Sequence, residues 1–146
     1  MARNNPPVAG QQSENVRILA RMYEVWDADD LPGILELLDP DFEWVNPVYA
    51  VHPGIRSGHD GMEQVMENLR ESFETQTRVL GPVEDIGDDR VLWCTTFRAR
   101  GRDSGALIEV EEQHLWTLRD GKILRIQWFH DMDEACQAAG LESPPR

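Results

Sequence analysis

Apolar residues recur at helical spacing through the first half of the chain and alternate with polar ones through the second. From Ser13 to Asp27, Val16, Leu19, Met22, Tyr23 and Trp26 fall on one stripe with charges opposite, the pattern of an amphipathic helix. A shorter helix follows the Asp29-Asp30 cap, carrying Leu31, Ile34, Leu35 and Leu38 until Asp39-Pro40 stops it. Asp41 to Asn46 alternates before Pro47, which puts Phe42, Trp44 and Asn46 on one face of a strand. Val48 to Gly58 reads as a loop holding Tyr49, His52, Pro53 and Arg56. A third helix is expected from near Asp60, with Glu63 completing a capping box and Met62, Val65, Met66, Leu69 and Phe73 buried.

After that helix the period becomes two. Thr77 to Ile86 is one strand, Gly87-Asp88-Asp89 a turn, and Arg90 to Arg100 the next strand. On it Val91, Trp93, Thr95, Phe97 and Ala99 share a face, and Leu92, Cys94, Thr96 and Arg98 the other. Gly101 to Gly105 leads into a closing hairpin, whose arms run from Ile108 to Leu118 and from Ile123 to Phe129. The Asp120-Gly121 step between them is a strong hairpin signal, because both central residues of a type I′ turn need positive φ. A short terminal helix follows. Helices first and antiparallel strands after give an α+β class. The expected form is a curved sheet of roughly four to six strands, closed into a cone by about three helices. It forms one domain, 13–141, between a tail at 1–12 and a frayed end at 142–146.

Composition narrows the function. At 146 residues the chain buries a real core without staples. A net charge of −13, from 27 acidic and 14 basic residues, opposes nucleic acid and anionic membranes. No apolar run approaches the roughly 18 residues of a membrane span. Met1 to Pro7 lacks the apolar core of a secretion signal, so the expected location is the cytoplasm. Cys94 and Cys136 suit reduced thiols. The four histidines and two cysteines show no metal-ligand spacing, and no glycine-rich phosphate loop or nucleophile elbow occurs. Neither a metal nor another cofactor is expected.

Four stretches carry a family resemblance: Tyr23 to Leu31, Leu38 to Trp44, Arg56 to Gly61, and His114 to Ile123, with Ala135 to Leu141 at the close. In this order and spacing the chain resembles the SnoaL-like polyketide cyclase group of the nuclear transport factor 2-like superfamily, a cystatin-like cone. The resemblance implies a small hydrophobic ligand and a homodimer through the sheet's outer face, with Leu92, Val110 and Trp116 exposed there. It does not imply one reaction, since such folds host isomerases, hydrolases, dehydratases and cyclases. The catalytic tyrosine and two aspartates of steroid isomerases align with Met22, Gln113 and Asn46. Tyr23 is one residue from the tyrosine position, a turn of about 100° on a helix. The aspartate that limonene-type epoxide hydrolases carry on their last strand aligns with Trp128. Neither mechanism is matched.

On this alignment Trp44, Asn46, Trp93, Thr95, Glu109, Glu111, Gln113, Leu115, Ile126, Trp128 and His130 line the pocket. Glu111 and His130 are the acid–base candidates, since their strands pair across the Asp120-Gly121 turn and a carboxylate in an apolar cone acquires a raised pKa. The competing reading puts Glu109 and Glu111 on a solvated rim and leaves His130 to cap the last helix at Asp131. Asn46 and Gln113 would polarise a ligand oxygen, although Asn46 suits backbone groups beside Pro47 equally well. Trp44, Trp93 and Trp128 are walls, Tyr23 and Trp26 core or ligand contacts, and Tyr49 and His52 border the mouth. His114 is expected to point away from the pocket, toward a partner subunit or solvent. Two functions follow. One is a cofactor-independent isomerase, cyclase or dehydratase acting by proton transfer on a hydrophobic carbonyl compound. The other is a binding or dimerisation module that uses the same cone without catalysis.

Overall fold

The computed structural model describes residues 13–145, so the expected tail at 1–12 lies outside the described residues. Ser13 caps the first helix, α1 (Glu14–Asp27), by accepting the Val16 N–H at 3.2 Å. Asp29 turns the chain at φ 55°, and Asp30 caps α2 (Leu31–Leu37) through the Gly33 N–H at 3.0 Å. The chain passes directly into β1 (Leu38–Asn46), then β2 (Gly54–Ser57) and α3 (Gly58–Ser72). The rest is β3 (Phe73–Gly87), β4 (Arg90–Gly101), β5 (Leu107–Arg119), β6 (Lys122–Phe129) and α4 (Met132–Ala139).

The six strands form one mixed sheet in the order β2-β1-β6-β5-β4-β3. Strands β3 to β6 are the expected antiparallel meander, while β1 joins parallel to β6 and carries β2 on its outer edge. The Asp120-Gly121 turn is built as anticipated, with φ 52° and 78°. Three local expectations are corrected. The loop after Val48 contains β2, which pairs with β1 from Asn46↔Gly54 to Glu43↔Ser57. The third helix starts at Gly58 with no side-chain cap bond, so Asp60 lies within its first turn and no capping box forms. Phe73 opens β3 instead of ending the helix.

The inner face of the sheet and the stripes of α1, α2 and α3 share the main core. Leu19, Met22, Ile34, Phe42, Met62, Trp116, Ile123 and Ile126 are fully buried in it. Gly61 lets α3 approach the β2 backbone, since a Cβ there would lie 2.6 Å from the Arg56 carbonyl carbon. A second cluster forms on the outer face, where Ala135 and Ala139 of α4 cover Leu92, Leu115 and Phe129. The outer face therefore does not expose the residues expected there. Leu92 lies under α4, Trp116 is in the main core, and Val110 points inward. Among the described residues no helix is long and apolar enough to cross a membrane.

Asp39 ties the start of β1 to the end of β5. Its carboxylate takes two bonds from Arg119, at 2.9 and 3.1 Å, and the Asp41 N–H at 2.8 Å. Arg119 and that N–H hold the Asp39 carboxyl below its ordinary value of 3.8. A depressed folded-state pKa contributes stability that is complete above the unfolded value and is lost as the pH falls through the folded one. Urea unfolding of wild type and Asp39→Asn should therefore differ most above about pH 4 and converge in stronger acid. A pH-independent difference would contradict this linkage.

Candidate active site

Between α1, α3 and the inner face of the sheet lies an open cavity of about 350 Å³. Val65 and Leu69 of α3, Phe73 of β3, Phe97 of β4, and Ile108 and Val110 of β5 supply apolar walls. Tyr49 to His52 and His130 form the mouth, and the lining also includes Trp26, Trp44, Asn46, Asn68, Ser72, Arg78, Glu112 and Trp128. An apolar concavity with a few placed polar groups is the usual form of a small-molecule site.

Glu112 is the one carboxylate on this lining. It stands on the β5 face that also carries Ile108, Val110, His114 and Trp116, and its side chain is 17% exposed. Behind it runs a buried chain of polar contacts. One Glu112 oxygen lies 3.1 Å from His114 Nε2, His114 Nδ1 lies 2.7 Å from the Tyr23 hydroxyl, and Trp116 Nε1–H donates to that hydroxyl at 2.9 Å. The proton order follows from the ends. An indole nitrogen can only donate and a carboxylate can only accept, so Trp116 gives its N–H to the Tyr23 oxygen and a neutral His114 ring presents Nε2–H to Glu112. Nδ1 of that ring is then the acceptor, and the Tyr23 proton goes to it. Burial pushes the Tyr23 phenol well above its ordinary pKa, which keeps it a donor. His114 thus orients Glu112 through one of its oxygens.

Arg78 is the one guanidinium on the lining, with its side chain 1% exposed. It donates through Nη1 to Asp27 at 2.9 Å and through Nη2 to Gln76, and its backbone N–H also reaches Asp27. Burial draws its pKa down, and the bond to Asp27 opposes that pull. Near the mouth, Asn46 makes three side-chain hydrogen bonds. Its carbonyl accepts the indole N–H groups of Trp44 at 2.6 Å and Trp128 at 2.8 Å, and its amide donates to the His52 carbonyl at 2.7 Å. The Tyr49 hydroxyl accepts the His130 backbone N–H at 2.9 Å, while its ring packs on Trp128 and His130.

Of the residues anticipated from sequence, Trp44, Asn46, Trp128, Tyr49, His52 and His130 border the cavity together. Tyr23 and Trp93 lie in the core beside it, ring to ring at 5.2 Å, with Trp93 Nε1–H donating to the Gly81 carbonyl. Glu111 and Gln113 are corrected. They stand with Glu109 on the outer face, Glu111 exposed and Gln113 buried, so Glu111 and His130 do not converge. The physical reason is the phase of β5, in which Trp93 pairs with His114 and Thr95 with Glu112. His114 is corrected by the same phase, being 1% exposed in the core instead of facing solvent or a partner. Glu112 and Arg78 were missed. The run Ile108, Val110, Trp116, Leu118 already marks the inner phase of β5 and includes Glu112; Arg78 pairs with inward-facing Phe97.

The SnoaL-like domain family model matches residues 19–126, and the chain belongs to that family. No curated protein matches the sequence significantly. Among solved structures, TerC co-crystallised with polyporic acid is similar at 24% identity and a TM-score of 0.73, over 88% of this chain and 99% of that one. An NTF2-like protein of unknown function from Burkholderia pseudomallei is 22% identical with a TM-score of 0.74, over 86% and 97%. A protein from a Jannaschia species, classed as a SnoaL-like polyketide cyclase, is 20% identical with a TM-score of 0.71, over 99% of both chains. These likenesses establish a shared fold.

The buried chain behind Glu112 gives a stability test. Tyr23→Phe leaves the Trp116 indole N–H and His114 Nδ1 without their buried partner. The expected loss is about 1–3 kcal/mol by urea unfolding, with the ring packing retained. An unchanged midpoint would mean that the phenol carries no net bond.

Proposed function

We propose that this protein is a cofactor-independent enzyme that moves a proton on a small hydrophobic carbonyl compound, with Glu112 as the acid–base group. The observation that carries the reading is a single carboxylate at an apolar cavity, held through one oxygen by His114. A fixed carboxylate among apolar walls suits general acid–base work, since it needs no reorganisation as the proton moves. Membership of the SnoaL-like family and the co-crystallisation of TerC with polyporic acid support a small molecule as occupant. The reaction class spans isomerisation, cyclisation and dehydration, all of which begin with loss of a proton beside a carbonyl.

A non-catalytic binding module is the second reading. It is favoured by the residues Met22, Asn46, Gln113 and Trp128, which replace the acids and tyrosine of the steroid isomerases and epoxide hydrolases. The two readings separate on one experiment. A panel of hydrophobic aryl ketones is incubated with the protein in D2O and α-proton exchange is followed by NMR. Wild type should accelerate exchange, and Glu112→Gln should lower that acceleration about 10²–10⁴-fold while ketone affinity is retained. Binding with no exchange by wild type would leave the binding module as the better reading.

A homodimer through the outer sheet face belongs to the same proposal. Thr96, Arg98, Glu109 and Glu111 stand on that face, with Arg98 and Glu109 paired at 2.6 Å. Sedimentation at micromolar concentration should give twice the 16.7 kDa of the chain, and a monomer would contradict the dimer alone.

A further inference from the structure

Glu112 brings a full charge to the cavity, and the described residues offer it no counter-ion of its own. Its side chain is 17% exposed, and one oxygen lies 3.1 Å from His114 Nε2. The other oxygen has no hydrogen-bond partner among the described residues. His114 is a neutral ring in that chain of contacts, so it orients the carboxylate without cancelling its charge. Arg78, the guanidinium on the same lining, lies 2.9 Å from Asp27 and is matched by it. Two carboxylates and one guanidinium leave one negative charge over. A charge in largely apolar surroundings is costly until a partner of opposite sign reaches it.

The walls suit the same kind of partner. Trp26, Trp44, Tyr49, Phe73, Phe97 and Trp128 all border the cavity. Aromatic faces attract cations through the ring quadrupole, most strongly where water is excluded. The protein already uses this property, since the Arg78 guanidinium carbon lies 3.6 Å from the centre of the Trp26 ring and 5.4 Å from that of Phe97. Asn46 accepts the indole N–H groups of Trp44 and Trp128, at 2.6 and 2.8 Å, so neither is free to bind an anion. The net charge of −13 raises the local concentration of cations and lowers that of anions. A metal ion is a poor match, because one carboxylate supplies too few ligands and the described residues hold no metal-binding cluster. A cavity of about 350 Å³ with apolar walls and one surplus negative charge fits an organic cation, charged at one end and apolar elsewhere.

We propose that this cavity is a receptor site for a hydrophobic organic ammonium ion. The N–H groups of the ion bond the free oxygen of Glu112, and its apolar body lies against the tryptophan and phenylalanine walls. The site requires the charge of Glu112 and not its action as a base. It adds a second ligand class to the proposed carbonyl chemistry, and the two compete. An ammonium ion on Glu112 occupies the group that would take the proton.

Three ligands of nearly one shape test it: 3-phenylpropylamine, 3-phenyl-1-propanol and 3-phenylpropanoate, which end in a cation, a neutral hydroxyl and an anion. Binding is measured by titration calorimetry at about pH 8, where the amine is protonated and the acid ionised. Wild type should hold the amine at least about tenfold tighter than the alcohol, and the acid at least about tenfold more weakly than the alcohol. Glu112→Gln keeps the shape and the bond from His114 but removes the charge. It should bring the amine down to the affinity of the alcohol and leave the alcohol unchanged. Glu111→Gln removes the same charge from the outer face and should leave the amine preference intact. Circular dichroism checks the fold, and should Glu112→Gln fail to fold, the three ligands on wild type and Glu111→Gln decide. Equal affinity for amine and alcohol, absence of amine binding, loss of the preference in Glu111→Gln, or its survival in folded Glu112→Gln would overturn the receptor site. The base role fails separately. Amine preference with no α-proton exchange by wild type would remove Glu112 as base and leave the receptor site standing, and exchange without amine preference would do the reverse.

Discussion

The inner face of β5 places two hydrogen-bonding side chains, Glu112 and His114, in a largely apolar cone, and the surrounding structure answers to them. A buried imidazole with either nitrogen unpaired is costly, so the fold brings one partner to each side of the ring. Tyr23 reaches it from α1 and Glu112 from its own strand. Tyr23 needs a partner in turn, and Trp116 supplies an indole N–H two residues along β5. The face that α1 turns to the sheet is therefore constrained by polar pairing as well as by its apolar stripe. Leu19 and Met22 would pack over a range of helix rotations, whereas the Tyr23 hydroxyl meets both His114 and Trp116 only in a narrow one.

Around that core the cone divides into a rigid interior and a looser mouth. Trp26 stacks on Tyr23 at 6.0 Å, meets Trp44 edge-on at 5.4 Å and carries Arg78 on its face, so aromatic contacts run from α1 through β1 to β3. The mouth rests on fewer contacts. Asn46 gathers Trp44, Trp128 and the His52 carbonyl, and Tyr49 clasps the end of β6. Both are single residues holding a loop whose Val48 and Val51 are about nine-tenths exposed. A ligand entering there meets side chains that can shift at small cost before it reaches ones that cannot.

Much of the architecture is legible in the sequence because its signals are local. The Asp120-Gly121 turn, the α1 stripe and the Asp30 cap each depend on a few neighbouring residues and stand where expected. The candidate site was legible only in part, because it depends on which face of β5 turns inward. Alternation there is blurred by a second layer: α4 covers the outer face near Leu92 and Phe129, so Gln113 and Leu115 are buried on the side that should be polar. Glu112 and His114 are polar on the side that should be apolar. With the two faces mixed in composition, period two identifies the strand but not its phase. Ile108 and Val110, beyond the reach of α4, carry the cleaner signal. The Arg78–Trp26 contact spans more than fifty positions and had no local signal at all.

A shared fold leaves open where its charges stand, and a one-residue difference in phase shows how much that freedom permits. On the alignment read from the sequence, the tyrosine and two aspartates of steroid isomerases fall on Met22, Gln113 and Asn46, which offer no acid and no phenol. Yet Tyr23 and Glu112, each one residue away, do occur on the inward side. Tyr23 is spent on His114 and lies 3% exposed, so the phenol acts on the histidine and not on a ligand. Glu112 borders the cavity instead. Four hydrogen-bonding groups of the cone are thus arranged in series, Trp116 to Tyr23 to His114 to Glu112, with one end at the cavity. In series, each group fixes the proton of the next, and the carboxylate at the end inherits an orientation set two elements away.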